Sequence, residues 1–173
     1  FTCNRNMSRI RIMATCPFID KIGGYSERVM TLQKTVAPKR VIERDPAPQP
    51  GQREAIEQLD RDLIVSAGAG SGKTWVLTAR YIEMLNDGTR PEQIGAITFT
   101  KKAAAEMKGR IREAIAKMEA TAHSEAEATY WRACRQELER AVITTIHGFC
   151  ARLLRDTPLE AGVDPGFRVL DEQ

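Results

Sequence analysis

The sequence lacks the patterns that mark membrane-spanning, secreted and metal-binding proteins. No run approaches the roughly 18 consecutive apolar residues of a membrane span, and residues 1–30 contain no apolar signal segment. Its four cysteines show neither Cys-x-x-Cys nor another ligand spacing, so no zinc site or disulfide framework is predicted. We therefore expect a soluble, cytoplasmic protein with no membrane partner. Two of the cysteines are expected in the core and all in the reduced state: Cys3, Cys16, Cys134 and Cys150.

A basic excess is also missing from most of the chain. Residues 1–50 hold nine Lys and Arg against four Asp and Glu, a net charge of +5. Residues 51–173 hold the remaining 17 basic and 19 acidic residues, a net charge of −2. Overall charge therefore does not indicate nucleic-acid binding, and any such function must come from local motifs.

The N-terminal segment shows no sustained hydrophobic period. Its last part, PKRVIERDPAPQPG, contains Pro46, Pro48 and Pro50, which prevent a helix from running through it. We expect residues 1–47 to be an unstructured or non-native segment. Residues 48–173, with ordinary globular composition, are expected to form the folded unit.

From Gly51 onward, the hydrophobic pattern predicts alternating helices and strands. Helices are predicted at residues 52–59, about 73–85, 101–120, about 124–140 and 147–155. Strands are predicted at residues 62–67, 94–100 and 141–146, and the first of them is expected to be buried. This alternation predicts an α/β fold in which a parallel sheet is flanked by helices.

Two of the predicted helices carry apolar residues at helical spacing. In the helix that starts at residue 101, the apolar face consists of Ala104, Met107, Ile111, Ile115 and Met118. In the last helix, the residues that share this spacing are Ile146, Phe149, Cys150, Leu153 and Leu154. Each pattern indicates a helix with one side that packs.

The stretch AGAGSGKT, residues 67–74, is one residue away from the phosphate-binding pattern G-x-x-x-x-G-K-[ST]. Ala67 replaces the first glycine, which is tolerable where the backbone φ angle stays negative. A chance glycine-rich turn containing Lys-Thr is the alternative. The position between a predicted buried strand and an amphipathic helix favours a nucleotide site.

Phosphate binding by such a loop depends on backbone N–H groups that converge on phosphate oxygens. Glycines allow these groups to turn toward the ligand, Lys73 can reach the β- and γ-phosphates of ATP as the catalytic lysine, and Thr74 can hold Mg²⁺. The predicted ATP-binding residues of the loop are Ala67, Gly68, Ala69, Gly70, Ser71, Gly72, Lys73 and Thr74.

Four stretches stand in the order of the N-terminal motifs of UvrD/Rep-like superfamily 1 DNA helicases, and the chain resembles that family. They are QPGQREAI, AGAGSGKT, ITFTKKAAAEMKGRI and ITTIHGFCARLLR. IHGFCARLLR and EAGVDPGFRVLDE are most similar to the AddA/RecB helicase–nuclease branch. The resemblance covers about residues 48–173. It implies a RecA-like P-loop NTPase fold and the N-terminal part of a first motor domain.

The resemblance implies an ATP-dependent DNA helicase that moves 3′ to 5′ on single-stranded DNA during double-strand-break repair. It also implies ATP and Mg²⁺ as cofactors, single- and double-stranded DNA as partners, a nucleoid-associated location and a second helicase–nuclease subunit. The family takes further catalytic carboxylates and arginines from later motifs. We therefore expect the 173 residues alone to be inactive in unwinding.

By the same resemblance, Gln52 corresponds to the glutamine that binds adenine. Its amide carries both donor and acceptor groups, which suits the adenine edge. The alternative is a surface glutamine on a helix. Trp75 departs from the family, which often carries arginine there, and we expect it in the core.

The motif TFTKK resembles the family's first single-stranded DNA contact. The resemblance implies that Thr98, Thr100 and Lys101 contact backbone phosphates and that Phe99 stacks on a base. A core position is the alternative for Phe99, because aromatic residues near strand ends are usually buried. The basic residues that follow on the helix are also compatible with an ordinary solvated face.

The motif TTIHGFC resembles the second DNA contact of the family. It implies that Thr145 and His147 bind DNA phosphates. For Thr145 the alternative role is an N-cap of the following helix, and for His147 it is to satisfy the end of a strand.

The C-terminal stretch FRVLDEQ has the form of a Walker B site, with Asp171 and Glu172 as its carboxylates. The resemblance argues against this role, because the family places its catalytic carboxylates later in the chain. The alternative function is a P-loop small-molecule kinase or regulatory nucleotide-binding module that uses these two carboxylates. The TFTKK motif favours the helicase.

Overall fold

A computed structural model describes residues 47–164 and 166–169 of the chain. The helices are α1 (Pro50–Glu57), α2 (Lys73–Asn86), α3 (Lys101–Ala120), α4 (Glu125–Glu137), α5 (Ile146–Asp156) and α6 (Pro158–Ala161). The strands are β1 (Gly95–Thr98) and β2 (Val142–Thr145), and 3₁₀ turns occupy Pro91–Gln93 and Leu138–Arg140. Most of the predicted segment 1–47 and both C-terminal carboxylates, Asp171 and Glu172, lie outside the described residues.

The two strands pair in parallel, with Gly95 opposite Val142 and Thr98 opposite Thr145. The chain between them contains α3 and α4, as a parallel connection requires. Helix α3 packs against β2 and α4, and α2 packs against α3. The predicted α/β fold with a helix-flanked parallel sheet is confirmed.

The main core lies where α2, α3 and α4 meet the sheet. Its fully buried side chains include Ile82, Leu85, Ile111, Ile115, Trp131 and Leu138. The predicted apolar face of α3 is buried at all five positions. Tyr130 closes one side of this core, and its hydroxyl donates to the carbonyl of Leu85.

Hydroxyl side chains set the starts of three helices. Thr100 accepts a hydrogen bond from the Ala103 N–H at the start of α3. Ser124 does the same for Glu127 in α4, and Thr145 for Gly148 in α5. Each cap satisfies one N–H group that has no partner within its helix.

The predicted strand at residues 62–67 is wrong, because the structure gives this segment no regular secondary structure. Ile64 is 96% exposed, so the segment is not buried either. A strand needs a neighbour that takes up its backbone hydrogen bonds. In the part of the chain that the structure describes, the sheet consists of β1 and β2 and does not extend to this segment.

Two other expectations about burial were incomplete. Helix α5 forms as predicted, but Ile146 and Cys150 on its apolar side are exposed. Of the two cysteines within the described range, Cys134 is buried and Cys150 is not, and both are free thiols. Among the described residues, no helix has the length and apolar character needed to cross a membrane.

Candidate nucleotide-binding site and nucleic-acid edge

The glycine-rich loop turns through two glycines in the left-handed region. Gly70 has φ 75° and Gly72 has φ 78°, a conformation that other residues adopt only with strain. Gly72 is the N-cap of α2, so the loop ends at the positive end of that helix. A side chain at Gly70 would contact no neighbouring atom, and the need for glycine there is purely conformational.

Lys73 lies across the loop that precedes it. Its Nζ donates to the carbonyls of Gly68 at 2.6 Å and Ala67 at 3.1 Å. The Ser71 hydroxyl also donates to the Gly68 carbonyl, at 2.8 Å. These contacts fix the ammonium group at the mouth of the loop. Thr74, the next residue in the first turn of α2, is exposed.

Gln52 is brought to the loop by α1. Its Nε2 donates to the Ser71 carbonyl at 2.9 Å, and its Oε1 accepts from the Gln49 N–H at 3.0 Å. An amide has two N–H donors and two lone pairs, so each end can form a second hydrogen bond. The structure thus places the predicted adenine contact beside the predicted phosphate contacts.

A cavity of about 520 Å³ adjoins both groups. Gln52 and Lys73 supply polar groups to its wall, and Ile64, Val76 and Leu77 supply apolar ones. Its volume is within the range of pockets that hold small ligands and cofactors. Apolar walls suit a base, and a lysine beside a helix N-terminus suits phosphates, so these residues fit ATP. The Thr74 hydroxyl in the first turn of α2 fits the metal ion that accompanies it.

A second set of predicted residues meets at the carboxyl edge of the sheet. Parallel pairing puts Thr98 directly beside Thr145, although they come from separate motifs. Phe99 follows β1 and is 76% exposed, so the alternative of a core position is wrong. Lys101 and His147 are both exposed at the first turns of α3 and α5. The N-termini of α3 and α5 therefore lie at the same edge of the sheet.

The threonines at this edge also form hydrogen bonds within the protein. Thr98 donates its hydroxyl to the Thr100 carbonyl at 3.1 Å, while the hydroxyl oxygens of Thr100 and Thr145 cap helices. An accepting hydroxyl still has its own O–H to donate. The N-cap interpretation of Thr145 is confirmed, and it is compatible with a phosphate contact.

Comparison with known protein families identifies the family of this chain. Residues 49–173 match the family model described as UvrD/REP helicase N-terminal domain. The chain belongs to this family. Its parallel strands and flanking helices are those of a RecA-like helicase domain, as the motifs predicted.

This UvrD/REP domain is similar in sequence to the large A subunits of ATP-dependent helicase/nucleases. It is 42% identical over 131 residues to the A subunit of the ATP-dependent helicase/nuclease of Heliobacterium modesticaldum, a match that covers 76% of the chain and 9% of that protein. It is 45% identical over 127 residues to the corresponding protein of Desulforamulus reducens, a match that covers 70% of the chain and 10% of that protein. The chain thus spans about a tenth of the length of these relatives. The predicted similarity to the helicase–nuclease branch is confirmed.

One buried group near the loop of this UvrD/REP domain was not predicted from the sequence. Arg80 is 4% exposed, and its Nη1 donates to the carbonyls of Ala55 at 2.8 Å and Gln58 at 2.7 Å. Its partners are backbone atoms, so no pair of charged residues in the sequence marks the contact. Trp75, expected in the core, is half-buried and packs against the small apolar cluster that includes Ala55 and Val76.

Proposed function

We propose that residues 48–173 form the N-terminal part of the first motor domain of an ATP-dependent DNA helicase that belongs to a helicase–nuclease. The observation that carries the proposal is the meeting of Lys73, Gln52 and one cavity at the N-terminus of α2. Both side chains donate hydrogen bonds to carbonyls of the same loop, Gln52 to Ser71 and Lys73 to Gly68. Membership in the UvrD/REP family supports the same function.

In this proposal, ATP is bound by the loop residues 67–74. Lys73 contacts the β- and γ-phosphates, Thr74 holds Mg²⁺, and the second donor and lone pair of the Gln52 amide recognise adenine. Mg²⁺ neutralises charge on the phosphate oxygens when it is bound. Lys73 is the proposed catalytic residue of this chain, because its ammonium group would stabilise the charge that develops on the phosphates.

Single-stranded DNA is proposed to cross the carboxyl edge of the sheet. Backbone phosphates would contact Thr98, Thr100, Lys101, Thr145 and His147. Two helix N-termini at one edge favour anionic groups, and the exposed ring of Phe99 is free of the core and suits stacking on a base. Closure of the motor around ATP would shift this edge along the strand, in the 3′ to 5′ direction that the family resemblance implies.

The role proposed for the whole protein is supported by the names of its relatives. Their name describes one of the subunits of an ATP-dependent helicase/nuclease, which supports DNA repair as the process and, as partner, a second subunit. A cytoplasmic, nucleoid-associated location fits a DNA substrate. We expect the 173 residues alone to separate no strands.

The proposal is tested by fluorescence anisotropy of labelled single-stranded DNA on the intact protein, with and without a non-hydrolysable ATP analogue. The analogue should change DNA affinity in the wild type, and Lys73→Ala should abolish that response. The rate of ATP hydrolysis by the Lys73→Ala variant should fall by about a hundredfold or more, because the preorganised contact of the lysine to the transferring phosphate is lost. Lys117→Ala, at the exposed far end of α3, is the matched control and should behave as wild type.

Binding of the analogue without any DNA affinity would overturn the helicase and favour the kinase or regulatory module. Equal DNA responses in the wild type and Lys73→Ala would show that the loop does not control the DNA edge.

A further inference from the structure

Helix α1 is too short to be stable by itself. It has eight residues, whereas isolated helices below about 12–15 residues are marginal in water. It nevertheless carries Gln52, whose position relative to Lys73 decides whether one nucleotide can meet both. Contacts outside α1 must therefore hold it in place.

Arg80 supplies the contact at the C-terminal end of α1. The Ala55 and Gln58 carbonyls that it binds lie at that end, where a helix leaves carbonyl groups without intrahelical partners. The same end carries the negative pole of the helix dipole, which favours a cation. Burial lowers the pKa of the guanidinium, but arginine remains protonated near neutral pH.

The N-terminal part of α1 is held separately, by the hydrogen bond from Gln52 to Ser71. The side chains of Ala55 and Ile56 also form an apolar cluster with Val76 and Ala79 of α2. Arg80 and Lys73 lie on the same helix, about two turns apart, and both border the cavity. The contacts at the two ends of α1 and its packing on α2 thus set the distance from Gln52 to Lys73. Arg80 supplies the contact at the C-terminal end.

We propose that Arg80 is a positioning residue for base selection: by holding the C-terminal end of α1, it keeps Gln52 aligned with the adenine of a nucleotide whose phosphates are bound by the loop. The inference rests on the proposed nucleotide site. Adenine offers a donor beside an acceptor, and guanine offers two acceptors. Only an aligned amide distinguishes these edges.

The test compares three probes on the intact protein: a non-hydrolysable ATP analogue, the corresponding GTP analogue and inorganic tripolyphosphate. Dissociation constants are measured for wild type, Gln52→Ala, Arg80→Met, Arg80→Lys and the double variant Gln52→Ala/Arg80→Met. Arg61→Met is the matched control, because Arg61 also contacts α1, at Glu54, but both side chains of that pair are largely exposed.

Arg80→Met should weaken binding of the ATP analogue by about tenfold, as expected when a hydrogen bond to adenine is lost through misalignment. Binding of the GTP analogue and of tripolyphosphate should stay within about twofold, since the loop is intact. The double variant should discriminate no less than Gln52→Ala alone, and Arg80→Lys should restore part of the preference. Arg61→Met should match wild type.

Equal weakening of all three probes in Arg80→Met would assign Arg80 a general structural role and overturn the inference. Unchanged discrimination in that variant would overturn it as well. If Arg80→Met does not fold, Arg80→Lys provides the comparison, and wild-type discrimination in that variant would contradict a precise alignment by the guanidinium. A wild type that binds none of the probes would instead overturn the proposed nucleotide site itself.

Discussion

The helical core and the proposed nucleotide-binding region differ in how they are held together. In the core, α3 and α4 bury side chains such as Ile111, Ile115 and Trp131 completely. In the nucleotide-binding region, residues 58–72 have no regular secondary structure, and polar contacts from Gln52, Lys73 and Arg80 fix the backbone. The core derives its stability from extensive apolar packing, while the region around the loop combines a small apolar cluster of α1 and α2 with a few hydrogen bonds. Mutations in the two regions should therefore have different signatures.

The largest contrast in stability should come from one substitution in each region. Trp131→Ala should lower the free energy of unfolding by about 3–5 kcal/mol, because it leaves a cavity in a tightly packed site. Ile64→Ala removes an exposed side chain and should change it by no more than about 0.5 kcal/mol. Urea denaturation followed by circular dichroism measures both. A loss of about 2 kcal/mol or more for Ile64→Ala would break the comparison and indicate a buried strand at residues 62–67.

Substitutions at two helical glycines should change the free energy of unfolding by smaller amounts. The two changes should have opposite signs. An added Cβ at Gly148 would lie 2.3 Å from the Thr144 hydroxyl oxygen, whereas one at Gly109 would meet nothing within 4 Å. Gly148→Ala should destabilise the protein by about 1–3 kcal/mol, and Gly109→Ala should stabilise it by about 0.5–1 kcal/mol. Thermal unfolding reports both signs.

The same clash predicts a specific rescue. In a Thr144→Ala background the obstructing hydroxyl is absent, so Gly148→Ala should be nearly neutral there. Additive losses in the double variant would show that the close approach of Gly148 to Thr144 does not cause the destabilisation.

The smallest effect is expected from substitution of the two described cysteines. Their thiols should differ in the rate of alkylation. Burial raises the pKa of the Cys134 thiol to about 11, so its thiolate is scarce at pH 8. Cys150 is exposed. Cys150→Ser should remove one rapidly labelled thiol, and Cys134→Ser should remove none, as an alkylation time course with mass spectrometry would show. Rapid labelling of Cys134 in the folded protein would contradict its burial in the core.

The raised pKa of Cys134 also predicts a pH dependence. The unfolded chain loses the thiol proton near pH 9, and the folded chain loses it near pH 11. The Cys134 contribution to stability is therefore complete below about pH 9 and is lost as the pH rises toward 11. Cys134→Ser should lack this part of the alkaline decline in unfolding free energy.

The sequence predicted best where neighbours along the chain determine the structure. The apolar spacing of α3 identified its buried face correctly, because helix periodicity fixes which residues share a face. The left-handed glycines and the position of Lys73 at the start of α2 also follow from the loop motif. The cap at Thr100 was missed, although a threonine before a helix is a known N-cap signal.

Contacts between distant segments could not be predicted in the same way. The apolar run at 62–67 shows that a strand is possible, but not whether a neighbouring strand pairs with it. The register that puts Thr98 beside Thr145 depends on three-dimensional packing. Arg80 binds backbone carbonyls, which every residue has, so no pattern of side chains marks its partners.

The hydrogen bonds from Gln52 to Ser71 and from Arg80 to Ala55 have a consequence for folding order. Both close short segments, separated by 19 and 25 positions in the chain, and the entropy lost on closing a segment grows with its length. The proposed ATP site lies almost wholly within residues 49–80, whereas the proposed DNA-binding edge forms only after β2 pairs with β1. A growing chain can therefore assemble the proposed nucleotide site before the proposed DNA-binding edge exists.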